Sequence, residues 1–363
     1  MKFDILSEYC FVNMGQSPAS ETYNNNADGL PFYQGNADFG EIHPQTRIWC
    51  SAPVKIANKG DLLISVRAPI GALNIATEQC CIGRGLAALT PKLDKCRIKY
   101  IYFAIQSQIN FLIANGTGST FKAVNKNTLE NLLIPVSSLN KQDEIVNIFE
   151  KLNNIINKRK EQLLLMDNAV KSRFIEMFGD VVINSKNWEQ TTLKNVAIGK
   201  LTYGSGASAI NFNGKIRYIR ITDISNDGEL NDDIKSPSIC DNKYLLNDGD
   251  ILFARSGATV GKTFCFNKKR YGEAIYAGYL IRMIPDKKRV LPIYVFYYTK
   301  TDYYMSFISK AQKAVAQPNI NAQEYGDLKI CVPPIELQQR FVDFVKQTDK
   351  SKFVIQKSLN YLL

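Results

Sequence analysis

A chain of 363 residues, 45% apolar and 22% charged, has the composition of a folded protein and enough length for two domains with separate cores. Its net charge of +11 and pI near 9.1 favour a polyanionic partner. One histidine, His43, excludes two-histidine metal motifs, and eight cysteines without a C-x-x-C spacing read as reduced core thiols rather than a zinc site or a disulfide frame. The longest apolar runs fall far short of a membrane span of roughly 20 residues. The start, "MKFDILSEYC", lacks the order of a signal peptide, so a cytoplasmic protein without membrane contact is expected.

Along the chain, short β-branched and aromatic runs such as "CFVNM" come first and read as strands. The segment "KGDLLISVRAPIGALNIA" (59–76) has a Gly-Asp turn, an apolar strand, a polar tip bearing Arg67, and a glycine leading into another strand, which describes a hairpin. A helical patch, "IKYIYFAIQSQINFLIAN", follows, and its aromatics are expected in the core. From Lys141 to Phe178 the apolar positions Ile145, Phe149, Leu152, Ile156, Leu163, Met166, Val170 and Met177 step as a heptad seam. That predicts a helix of about 38 residues, nearly 57 Å long. It is close to neutral: of the net +11, the stretch 141–178 carries +1 and 336–363 carries +2, leaving +8 for the other segments.

The second half repeats the first. "DGDILFARSGATVGKTFCF" (248–266) matches 59–76, aligning Gly60 with Gly249, Asp61 with Asp250 and Gly71 with Gly261. "LLIPVSSLNKQDEIVNIF" (132–149) matches "LKICVPPIELQQRFVDFV" (328–345) without a gap at an offset of 196, which Asn125 and Asn321 also obey. Weaker pairs are "MGQSPAS" with "YGSGASA" and "LPFYQGNADFG" with "IRYIRITDISNDG". A second aromatic helical patch, "PIYVFYYTKTDYYMSFISK", and a C-terminal heptad helix through Phe341, Val345, Thr348, Lys352, Ile355, Leu359 and Leu362 complete the copy. The expected fold is α+β: two similar globular mixed α/β units separated by long helices that pair as an antiparallel coiled coil, because one heptad helix cannot bury its seam alone.

"ARSGATVGKT" (254–263) approaches the phosphate-binding pattern G-x-x-x-x-G-K-S/T, with Lys262 and Thr263 in place, but Ser256 stands where the first glycine belongs. The first copy has "APIGALN" there, so phosphate chemistry is not the shared purpose of the turn. A nucleotide-binding enzyme using 256–263 is therefore the lesser reading, as is a two-domain scaffold that ignores DNA. Two related basic units suit two related half-sites, about one turn or 34 Å apart on a duplex. Diverged pairs, Gln34 against Arg220, Arg67 against Arg255 and Leu73 against Thr263, would then read different bases, with Tyr33 and Tyr218 equally suited to the core.

The doubled "IPVSSLNKQDEIVNIFEKLN" and "ICVPPIELQQRFVDFVKQ", with "GDLLISVRAPIG" and "GDILFARSGATVGKT", resemble the specificity subunit of type I restriction-modification systems over nearly the whole chain. The resemblance implies target recognition domains at 1–139 and 181–335 and spacer helices at 140–180 and 336–363. It implies a subunit without catalytic residues, metal or bound cofactor. Its partners would be double-stranded DNA, two modification subunits that use S-adenosylmethionine, and restriction subunits that use ATP and magnesium. Candidate DNA-contacting residues are Gln16, Ser17, Tyr33, Gln34, Arg47, Arg67 and Arg84 in the first copy, and Tyr203, Ser205, Arg217, Tyr218, Arg220, Arg255, Lys262 and Thr263 in the second.

Overall fold

The computed structural model describes residues 2–116, 122–313 and 318–362. The chain forms two compact units, Met1–Asn157 and Lys158–Leu363. Unit 1 contains β1 (Lys2–Ile5), β2 (Cys10–Met14), β3 (Leu30–Tyr33), β4 (Leu62–Ser65), β5 (Leu73–Ile75), β6 (Cys80–Ile82), β7 (Leu86–Pro91), α1 (Ile98–Gln106) and β8 (Leu133–Val136). The long helix α2 (Leu139–Phe178) begins in unit 1 and ends in unit 2. Unit 2 then contains β9 (Glu189–Thr192), β10 (Thr202–Tyr203), β11 (Arg217–Ile219), β12 (Ile251–Ala254), β13 (Thr263–Cys265), β14 (Ala274–Tyr276), β15 (Leu280–Met283), α3 (Pro292–Tyr298), β16 (Lys329–Val332) and α4 (Ile335–Asn360).

The repeat seen in sequence is a repeat of topology. Unit 1 has a four-stranded sheet in the order β2-β7-β4-β5, and unit 2 has one in the order β10-β15-β12-β13. Each unit is closed by an antiparallel pair joining its first and last strands, Lys2 opposite Val136 and Glu189 opposite Val332, which keeps the offset of 196 between the second members. Each also has one parallel pair, β3 with β6 and β11 with β14. The Gly-Asp turns do the same work in both copies. The carboxylate of Asp61 accepts the Asn58 amide at 2.8 Å and that of Asp250 accepts the Asn247 amide at 2.7 Å, so each turn closes on its own aspartate. The strands β4 and β12 that follow are buried throughout, which is why they read as continuous apolar runs rather than alternating ones.

Helix starts repeat as well. Asn125 accepts the Thr128 amide and Asn321 accepts those of Gln323 and Glu324, each capping a short helix before the closing strand. A second pair at the same offset went unnoticed in the sequence. Gln142 and Gln338, 1% and 0% exposed, each accept one amide and donate to two carbonyls: Arg97, Lys95 and Ser137 for the first, Leu291, Arg289 and Pro333 for the second. Each long helix is thus stitched at its start to the aromatic helix beside it.

The aromatic helical patches are core in large part: Tyr294, Tyr298 and Tyr304 are buried in unit 2, whereas in unit 1 Tyr100 is buried, Tyr102 and Phe103 pack half-buried against the core and Phe111 is 50% exposed. Each patch is two helices rather than one, since Ser107 in the first, and Thr299 and Thr301 in the second, turn their hydroxyls back onto carbonyls three residues earlier and end the helix there. The heptad seam holds except at Phe149, which is 43% exposed: Val170 is buried, and Ile145, Leu152, Ile156, Leu163, Met166 and Met177 are half-buried on a helix whose other mid-length positions are mostly exposed. Val146, Phe174 and Phe178 are further buried apolar positions of α2. Within unit 2 the end of α2 runs antiparallel to α4: the Phe174 ring meets Phe341 at 5.3 Å, and about two to three turns away Asp167 pairs with Lys352.

Candidate nucleic-acid interface

Both units build the same surface junction with the same hydrogen bonds. In unit 1 the amides of Gly15, Gln16, Gly83, Val66 and Val124 donate to the carbonyls of Leu86, Ile82, Tyr33, Gly85 and Val66, at 2.8 to 3.0 Å. In unit 2 the amides of Gly204, Ser205, Ala277, Arg255 and Ile320 donate to Leu280, Tyr276, Ile219, Tyr279 and Arg255, at 2.8 to 3.2 Å. The crossing is close enough that a Cβ on Gly15 would sit 2.1 Å from the Gly83 carbonyl oxygen, and one on Gly204 would sit 2.3 Å from that of Ala277. Only glycine lets the strand end pass over the turn there.

In unit 1 this junction gathers Gln16, Ser17, Gln34, Arg84 and Arg67. The Arg84 amide and Nε both point at the Ser17 hydroxyl, at 3.3 and 3.4 Å. Arg47 joins them through Asp38, whose other carboxylate oxygen accepts the Gln34 amide at 2.7 Å. Gln16, Gln34, Arg47, Arg67 and Arg84 are all exposed, which places three guanidinium groups and two amides on one rim. In unit 2 the counterpart of Gln34 is Arg220, held by Asp223 and Asp233. Arg255 lies over the Tyr203 ring at 4.7 Å and donates to Asn319 at 3.1 Å. Tyr279, 62% exposed and bonded through its carbonyl to Arg255, completes this rim. Sequence reasoning missed Tyr279 because its twin, Gly85, has no side chain to compare.

Several expectations are corrected by burial and register. Tyr33 and Tyr218 are core residues, the first bonded to Thr46 and the second to the carbonyls of Ser205 and Ala207. They are not equivalent either, since the matched bonds align Tyr33 with Ile219. Ser205 and Arg217 are buried, Arg217 donating to the Asn231 carbonyl at 2.7 Å, with burial pulling its pKa down. Arg67 pairs across to Ala123 and Ser256 to Asn319, again 196 apart, so Arg67 is the twin of Ser256 and not of Arg255. A shift of one residue puts the two arginines on opposite strand faces.

The phosphate-loop likeness is a hairpin connection. Its amides are spent on the chain itself: Gly257 on Pro318, Val260 on Gly257, Gly261 on Ala254 and Lys262 on Thr259. The Lys262 ammonium donates to the Ile224 carbonyl at 3.0 Å, and the Thr263 hydroxyl, fully buried, bonds Thr299. Leu73, its twin, is buried too. Neither Thr263 nor Leu73 offers a surface to a ligand, and a phosphate cradle needs free amides.

Comparison with known proteins agrees with this layout. The family described as the type I restriction modification DNA specificity domain matches residues 5–165 and 185–362. A putative type I restriction enzyme specificity subunit, MjaX, of Methanocaldococcus jannaschii is 40% identical over 159 residues, 43% of this chain but only 37% of that protein's length. The EcoBI specificity subunit of Escherichia coli is 21% identical over an aligned length of 397 residues, covering 97% of this chain and 80% of that one. The crystal structure of the type I restriction-modification S subunit from M. genitalium shares the fold, with a TM-score of 0.57 at 15% identity over 99% of this chain and 92% of that one.

Proposed function

This chain belongs to the type I restriction modification DNA specificity family, and from that premise we propose that it is a sequence-specific DNA-recognition subunit, each unit reading one half of a split target. The observation that carries the reading is the set of five matched hydrogen bonds, which holds different polar side chains at one place in both units. A shared frame with exchanged side chains is what two readers of unlike base sequences need. Lys and Arg around each rim neutralise phosphates and fix the register, and a few rim residues meet base edges in the major groove.

The chain performs no chemistry itself in this reading. Two modification subunits carry S-adenosylmethionine and methylate an adenine flipped out of the stack, and restriction subunits use ATP and magnesium, all in the cytoplasm. The spacer helices and their polar faces set the gap between half-sites and carry the partners.

Salt dependence separates this reading from a scaffold that does not bind DNA. With six phosphates neutralised, the logarithm of the affinity for duplex DNA should fall linearly with the logarithm of salt concentration, with a slope near about −5. Fluorescence anisotropy of a labelled duplex between roughly 50 and 200 mM salt measures it, and no binding, or weak binding that is flat over that range, supports the scaffold instead.

A further inference from the structure

One pairing recurs in the two units through residues that do not align. In unit 1, the buried carboxylate of Asp38, 6% exposed, accepts the Gln34 amide at 2.7 Å and the Gly35 amide at 3.3 Å. Its other oxygen takes Nε of Arg47 at 3.2 Å together with Nη2. In unit 2, Asp223, 1% exposed, accepts the amide of Arg220, the register twin of Gln34, at 2.9 Å. It then takes Nε of that same Arg220 at 3.0 Å, again with Nη2. The carboxylate stays in place while the guanidinium arrives from thirteen residues downstream in one copy and from the capped residue itself in the other.

A carboxylate on the Nε–Nη2 edge leaves the Nη1–Nη2 edge of the guanidinium, with two parallel N–H donors, for a second acceptor pair. That edge matches O6 and N7 of guanine in the major groove, and an arginine already held by a buried partner loses less freedom when it binds. The Arg47 side chain is 58% exposed at the rim. Arg220 is 23% exposed, and its Nη2 also donates to the exposed Asp233 at 2.9 Å, which must swing aside for a guanine to be read.

We propose that Arg47 and Arg220 are specificity-determining residues that each read a guanine in their own half-site, with Asp38 and Asp223 as the positioning residues that aim them. This rests on the DNA-recognition reading above. The test is selection from a randomised duplex library by the full chain in complex with its modification subunits, followed by sequencing of bound DNA. The wild type should enrich a split motif. Arg47→Lys, which keeps the charge but loses the two-donor edge, should cut the preference for one guanine in one half by about tenfold or more and leave the other half intact. Arg220→Lys should do the reverse. Asp38→Asn, which keeps an acceptor for the Gln34 amide, should weaken the same guanine column as Arg47→Lys, an effect that a merely structural role would spread over all columns. A wild-type motif that survives Arg47→Lys unchanged, or a uniform loss of affinity with every column preserved, overturns this proposal alone. Failure of the wild-type complex to enrich any split motif overturns it together with the recognition reading.

Discussion

Replacing Arg282 with methionine is expected to destabilise unit 2 by about 3 to 5 kcal/mol, because it leaves a buried carboxylate without its cation. Arg282 and Asp250 have side chains only 8% and 2% exposed and meet at 2.6 Å. Burial pushes the Asp250 carboxyl above the usual range, and the Asn247 amide and the Arg282 guanidinium pull it back down. A carboxyl whose folded pKa lies above its unfolded one holds its proton better in the native state, so it contributes stability at low pH that is lost as pH rises through the folded value. Removing Arg282 takes away one of the lowering influences and lifts that pKa further. The deficit of the variant should therefore be largest at neutral pH and shrink on acidification. Denaturant unfolding at neutral and acid pH measures it, and a deficit below about 1 kcal/mol, or one that grows in acid, contradicts the account.

The first unit solves the same local problem without a cation. Asp61 stands at the equivalent turn, its pKa also raised by burial, and is relieved by the Asn58 amide and the Thr90 hydroxyl. The two copies share a backbone need, closure of the Gly-Asp turn, while the neighbours that serve it have drifted apart.

The second large effect concerns recognition. Grafting residues 1–136 of another specificity subunit onto this chain should replace one half of the DNA target and leave the other half and the gap unchanged. The cut is chosen from β1 and β8, whose pairing of Lys2 with Val136 closes the unit on itself, so a graft to that point carries both closing strands. The helix that follows meets the grafted part through Gln142, bonded to the Arg97 amide and the Lys95 carbonyl, backbone groups that any related unit supplies, and through side-chain pairs of Asp143 with Arg97, Glu150 with Lys99 and Phe149 with Phe103, which the donor unit must also supply. Motif determination on the chimaera decides the matter: a change in both halves would show that the units do not read independently.

What was legible in the sequence was whatever the duplication preserved without insertions. The offset of 196 holds for the closing strands and for the helix caps Asn125 and Asn321; the buried Gln142 and Gln338 obey it too, but nothing in their residue type marks them as buried. The long helices announced themselves by period. Register inside the recognition units did not, because both hairpin tips carry an arginine and likeness of residue type pairs Arg67 with Arg255, whereas the offset of 189 from Asp61 and Asp250 puts Arg67 on Ser256, and Arg67 stands opposite Ala123 as Ser256 stands opposite Asn319. Burial was hidden for a related reason. The strand Arg217–Ile219 is buried at all three positions, so no alternation marks which side chain faces solvent. The link between Asp38 and Arg47 spans a turn and nine residues of irregular chain, and no local pattern reports a contact of that kind. The candidate site was thus readable as a region and misread at individual residues, since a rim residue and its buried neighbour differ by one step along a strand.

The central claim, that one chain reads two unlike half-sites, is tested most directly by sequencing adenine methylation in cells carrying this chain with an active modification partner. The account predicts a single asymmetric motif of two short specified halves separated by a fixed unspecified gap. A contiguous motif, or methylation indifferent to sequence, would contradict it.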